Sequence, residues 1–170
     1  MAPGFHVGFD QLVSRVEGDS FWITYLSEAS NPASLIGLHL AVFSEPYLSL
    51  VLDRRKTIES RFSRLRCAPF REVSEGDVIL IKEVAGPIRG IALARHAWYY
   101  DLAREPLENI RDRYGDTICA DDAFWESRRD ASYASLIELG EASAIAALDC
   151  SKRDRRGWVP LRPRQLPLDL

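Results

Sequence analysis

The strand-forming run 78–82, Val-Ile-Leu-Ile-Lys, is followed after the turn residues Gly86-Pro87 by a second extended run over 88–100. Nothing between them is long enough to form a helix. A parallel pair needs a crossover of a dozen or more residues, whereas an antiparallel hairpin needs only a short turn. Direct succession of the two strongest strands therefore argues against a sheet built from βαβ units and for a small, strongly curved sheet. Further strands are expected at 38–43, 57–62, 133–139, 142–148 and 158–161, with Gly90 as a bend in the long strand. Helices are expected where Phe9, Leu12, Val13 and Val16 recur at helical spacing, over 21–26, from Pro46 to about residue 52, and over 106–114 and 121–128. Asp121 or Asp122 is placed to cap the last of these. The expected class is α+β, a small β-barrel with helices packed around it. Residues 1–35 read as an N-terminal helical extension of the same domain, 36–161 as the barrel domain and 162–170 as a C-terminal tail.

At 170 residues the chain is long enough for one proper core. No apolar run approaches the roughly 20 residues that span a bilayer, and the N-terminus lacks a basic start and a long apolar stretch. No membrane association is expected. Cys67, Cys119 and Cys150 are odd in number and far apart, which argues against a disulfide framework and against a zinc site; a reducing cytoplasm is the expected location. His6, His39 and His96 show no ligand spacing, and no Gly-rich phosphate loop is present. Neither metal nor cofactor is expected.

The basic residues are more informative. The chain has 19 Arg and only 3 Lys: Lys56, Lys82 and Lys152. A lysine kept where arginine is the default cation suggests a site that wants a compact ammonium, able to give up a proton as guanidinium does not. Charge is also segregated. Residues 53–71 hold seven basic residues against Asp53 and Glu59, and 152–164 hold six against Asp154, although the net charge is -3. If the two windows converge, an anionic partner is expected, with nucleic acid first.

Within the first window, Lys56, Glu59 and Arg61 form a constellation. Arg61 can clamp a phosphate with its planar fork. Arg54, Arg55 and Arg61 favour the neutral form of Lys56, which would make it a general base, while Glu59 opposes this. The alternative is a structural salt bridge from Glu59 to Lys56 or Arg61 that holds a cleft. Lys82, at the end of its strand, either reaches the same cleft or extends to solvent. Exposed rings among Tyr47, Phe62, Trp98, Tyr99, Tyr100 and Trp158 would stack on unpaired bases, although most are expected in the core, and Phe124-Trp125 reads as packing.

Several segments together resemble the ASCH domain family, a relative of the PUA domain. They are Pro46-Tyr47, the run 55–63 and the run 75–82, followed by 114–118, 124–126, 132–137 and 155–159. The resemblance spans roughly residues 38–161. Its most specific part is a Gly-x-Lys-x-x-Glu-x-Arg-like signature, matched at Lys56, Glu59 and Arg61, with Arg54 where the family often has Gly. It implies a PUA-like barrel with a cleft lined by the signature, and RNA or a nucleotide-like small molecule as the partner. Taken with the two basic windows, the Lys82 strand end and the aromatic surface, the expected binding residues are Arg54, Arg55, Arg61, Lys82, Lys152, Arg155, Arg156 and Trp158. Some members are hydrolases. A single-strand ribonuclease group implicates a Tyr, the motif Lys and a late Ser, roles open here to Tyr47, Lys56 and either Ser132 or Ser135, with Glu59 orienting Lys56. An amidohydrolase group acting on N4-acetylcytidine carries Thr three residues after the Lys. This chain has Glu59 there, which counts against that chemistry. The alternatives are thus an RNA-binding module, a hydrolase using the same cleft, or a module for an acidic protein partner.

Overall fold

Strands β1 (Leu38–Phe43) and β3 (Val78–Glu83) are apolar at nearly every position because both of their faces are covered. The computed structural model describes residues 5–151 and 154–165. In it these two strands lie inside a six-stranded mixed sheet with β2 (Ile58–Ser63), β4 (Ile88–Asp101), β5 (Tyr133–Leu148) and β6 (Trp158–Arg162), in the order β2-β5-β4-β3-β1-β6. The pair β1–β3 is parallel, and the connection between its strands contains α3 (Tyr47–Leu52) and β2. Every other neighbouring pair is antiparallel.

The sheet curls into a half-barrel. Three register shifts along the long β4–β5 pair supply bends, since an extra residue on one strand increases local twist. Gly90 sits where a side chain would collide with Leu52 of α3, at 2.5 Å from an added Cβ. The run 133–148 is one strand rather than the expected two. Gly140 and Glu141, which read as a break, form a kink instead, with Glu141 at φ 50° and the ladder continuing on both sides.

Alternation divides the core between two faces. Ala41, Phe43, Ile79 and Ile81 pack with Ile137, Trp158 and the α3 residues Leu48 and Val51. Leu38, Leu40, Val78 and Leu80 face α1 (Phe9–Val13) and α2 (Ser20–Ala29), which contribute Leu12, Trp22 and Leu26. The N-terminal helices therefore share a core with the sheet, and Trp22 also donates its indole N–H to Glu141 O at 2.8 Å. Helices α4 (Leu107–Ile118) and α5 (Asp122–Glu126) cover Ile58, Ala134 and Leu136. Helix α4 runs beyond the expected 114, because Gly115 is tolerated within it and Cys119 ends it in the left-handed region. Among the described residues no helix is long and apolar enough to cross a membrane.

One buried polar chain crosses the apolar face. The Trp158 indole N–H donates to His39 Nδ1 at 3.2 Å, so His39 Nε2 carries the proton it gives to Asp77 Oδ2, also 3.2 Å away. Asp77 accepts two backbone N–H groups as well, from Gly37 (2.8 Å) and Ser74 (2.9 Å), and Arg164 Nε lies 3.5 Å from it. Burial alone would raise the Asp77 carboxyl. The donors from His39, Ser74 and Gly37 outweigh it and hold the carboxyl below its ordinary value. A lowered folded value means that the stabilisation is present above the unfolded value and is lost as pH falls through the folded one. The stability gap between the protein and its Asp77→Asn variant is therefore expected to be constant near neutrality and to shrink below about pH 3.8, as read by urea unfolding against pH. A gap that persists unchanged to lower pH would show that the carboxylate charge contributes nothing.

Candidate functional site

Helix α3 ends in a turn that sets up the site. Arg54 adopts φ 58°, and the N–H groups of Arg55 and Lys56 both donate to Leu50 O at 2.9 Å. This is the left-handed closing geometry that glycine adopts most freely, and it falls on the position where the resembled signature carries Gly. The reversal explains how Lys56 and Glu59 can meet, although alternation along one strand would put them on opposite faces. Strand β2 begins only at Ile58. Lys56, 3% exposed, donates to Ile58 O and Ile118 O at 2.8 Å each and lies 3.4 Å from Glu59 Oε2. An ammonium has three N–H groups, and each finds an acceptor here.

The other oxygen of Glu59 accepts from Arg61 Nε at 2.7 Å. Arg61 then reaches across the mouth of the half-barrel. Its Nη2 donates to Val42 O at 2.8 Å and its Nη1 to Gly157 O at 3.2 Å. The guanidinium lies over Phe43 and Trp158, 5.4 and 5.5 Å from their ring centres. An added Cβ at Gly157 would stand 2.8 Å from Arg61 Nη1, so a side chain there would displace the guanidinium from its present position. Strands β2 and β6 are the two ends of the sheet and share no ladder. A side chain joins them.

Beside this clasp is a pocket of about 150 Å³ lined by Tyr47, Lys56, Glu59, Ser60, Arg61, Phe43, Val42, Ser44, Phe124 and Arg128. Tyr47 has Lys56 Nζ 5.3 Å from its ring centre and packs edge-on to Phe124. Burial and the nearby Asp121 carboxylate push the Tyr47 phenol upward, so it stays a protonated donor near neutrality. Asp121 accepts the Phe124 N–H at 2.8 Å and so fixes the start of α5. Arg128 stacks on Phe124, 4.6 Å from the ring centre. Three cations face one carboxylate, with three aromatic rings and three hydroxyls beside them.

The expected residues thus separate. Tyr47, Lys56, Glu59 and Arg61 share this pocket. Ser135 is buried opposite Arg61 in the ladder and lines a second concavity, while Ser132 is exposed at the strand end. Arg54 is exposed and donates to Ala142 O; Arg55 is also exposed. Lys82 points away from the pocket, because its ammonium caps the β3–β4 turn at Glu83 O (2.9 Å) and Gly86 O (2.6 Å). Trp158 is 2% exposed with its N–H given to His39, so it supports Arg61 rather than offering an open face. Arg155 is exposed, Arg156 pairs with Asp154, and Lys152 lies outside the described residues. The two basic windows do meet, at the Arg61–Gly157 contact. Sequence reading missed Phe124 and Arg128. An aromatic and an arginine four residues apart just after a capping Asp was the available signal. Among the described residues no cluster of His, Cys, Asp and Glu is arranged to hold a metal ion.

In fold, the chain is similar to the ASCH protein of Zymomonas mobilis, with a TM-score of 0.60, 12% identity, and coverage of 74% of this chain and 87% of that one. Two variants of that protein are similar to the same extent. One carries a tyrosine-to-phenylalanine change (TM-score 0.60, 12% identity, 74% and 90% covered) and the other a serine-to-alanine change (0.58, 14%, 74% and 88%). No family model matches the sequence, and no curated protein matches it. The chain has an ASCH-like fold, an α+β half-barrel with helices around it.

Removing Glu59 leaves two cations facing each other in a buried place. Glu59→Ala is expected to lower stability by about 3–5 kcal/mol, and the double variant with Lys56→Met to recover part of that loss. Urea unfolding followed by tryptophan fluorescence measures both. A loss under about 1 kcal/mol, as for an exposed pair, would mean that the carboxylate does not organise the site.

Proposed function

We propose that this protein binds single-stranded RNA or a nucleotide-like ligand in the pocket between Tyr47, Lys56, Arg61, Phe124 and Arg128. The observation that carries the reading is the convergence of signature cations with aromatic rings around one concavity. The pocket is smaller than a drug-sized site and suits a single heterocycle. An unpaired base can stack on Phe124 or Tyr47, and sequence-tolerant binding of single strands rests on this pairing of rings with cations. The Tyr47, Ser44 and Ser60 hydroxyls have no protein partner among the described residues and are available to the base edges or sugar. Arg128 and the free N–H groups of Arg61 are available to phosphate.

A hydrolase acting on RNA is the second reading, favoured by the unpartnered Tyr47 hydroxyl beside two fixed cations. In this reading Tyr47 donates a proton, and Lys56, held by three acceptors, stabilises developing negative charge rather than accepting a proton. Glu59 stands where the amidohydrolase group has Thr, which keeps that chemistry last.

Binding of a labelled single-stranded oligoribonucleotide is expected at low salt. Arg128→Ala should reduce the slope of log K against log salt by about 0.7, the value of one phosphate contact on a single strand. Phe124→Ala should weaken binding by about 1–3 kcal/mol without changing the slope. Absence of binding at low ionic strength, or equal binding of an acidic polypeptide, would exclude the nucleic-acid reading.

A further inference from the structure

Arg61 lines two concavities, not one. On its far side from Tyr47 is a second hollow of about 190 Å³, walled by Phe62, Ser63, Cys67, Pro69, Ser135 and Trp158. It contains a hydroxyl that no protein group among the described residues engages. Ser135 is 2% exposed, yet its hydroxyl has no protein hydrogen-bond partner among the described residues and faces this hollow. That hydroxyl keeps its access through the hollow, so it is available to an occupant as donor and acceptor. Ser60, 7% exposed, stands in the same condition in the first pocket.

The shared wall is equally suggestive. Arg61 has five N–H groups, and three are spent on Glu59, Val42 and Gly157. The remaining two, one on each terminal nitrogen, have no acceptor among the described residues, and the side chain is 24% exposed. An anion placed over Arg61 would therefore sit between the two hollows. One ligand class has this pattern of a flat unit, an anion and a second flat unit: two adjacent nucleotides of a single strand.

We infer that the Ser135 hollow is a second subsite, taking the nucleotide next to the one held in the Tyr47 pocket, with the linking phosphate on Arg61. This rests on the proposed function and gives it a minimum ligand, a dinucleotide step. The hollow contributes Ala68 and Pro69 as apolar walls, and Ser135, with Ser63 as an acceptor because its O–H is given to Leu65 O, as groups for a base edge or a 2′-hydroxyl. Cys67 is exposed at its rim, so a larger residue there can fill the mouth without entering the core.

Calorimetric titration with the ribonucleoside 5′-monophosphates, and with the dinucleoside monophosphates built from them, tests this. The best dinucleotide is expected to bind about tenfold or more tightly than the best mononucleotide, the gain of one further stacked base and its phosphate. Cys67→Trp and Ser135→Ala are each expected to remove most of that gain and leave mononucleotide binding unchanged. Mononucleotide binding with no dinucleotide gain, or a gain that survives both substitutions, overturns the second subsite alone. Binding of neither probe overturns it together with the proposed function.

Discussion

The carboxylate of Glu59 is the point on which the rest of this molecule turns. One oxygen faces the ammonium of Lys56 and the other takes the Nε–H of Arg61, and both cations are then free to reach neutral backbone carbonyls elsewhere. Lys56 ties the start of β2 to the end of α4 through Ile118 O. Arg61 ties β2 to β1 and to the approach to β6. Without a buried negative charge between them, two cations so close would repel in a place with little water to screen them. A half-barrel whose end strands share no ladder is thus joined by side-chain chemistry.

That arrangement explains why the site lies where it does. A fully paired barrel would have no opening between β2 and β6. Here the opening is spanned by one planar guanidinium, which leaves a hollow on each side of it and supplies both with positive charge. The apolar core carries the load elsewhere, with helices on both sheet faces and the Trp158–His39–Asp77 chain tying β6 and β1 to the turn before β3. Trp158 serves both systems. Its indole N–H belongs to the buried chain, and its ring carries Arg61.

Much of this was legible in the sequence where the signal was local. The apolar runs at 38–43 and 78–82 and the tight Gly86-Pro87 connection located the central strands, because burial on both faces leaves no alternation to confuse. The Lys56, Glu59 and Arg61 spacing marked the site. What escaped was set by contacts distant in sequence. Nothing near Gly157 reveals that Arg61, almost a hundred residues earlier, donates to its carbonyl oxygen. Phe124 belongs to a short helix, and Arg128 to the turn after it, whose position depends on packing against β2 and β5, so they read as ordinary surface and core. Gly140 and Glu141 looked like the end of a strand because a kink and a break have the same local composition. The roles of Lys82 and Trp158 depended on which partners lay within reach, and in both cases a backbone or imidazole acceptor held the polar group away from the ligand side.

The structural clasp and the proposed ligand site share residues, and that sharing can be observed directly. In a 15N-labelled sample the Arg Nε–Hε signals report each guanidinium separately. Titrating in a short single-stranded oligoribonucleotide should shift the Arg61 and Arg128 signals and the Phe124 amide together, saturably and with one affinity, and leave Arg54, held at Ala142 O, unchanged. Shifts confined to exposed arginines such as Arg155, with Arg61 and Arg128 unmoved, would contradict it.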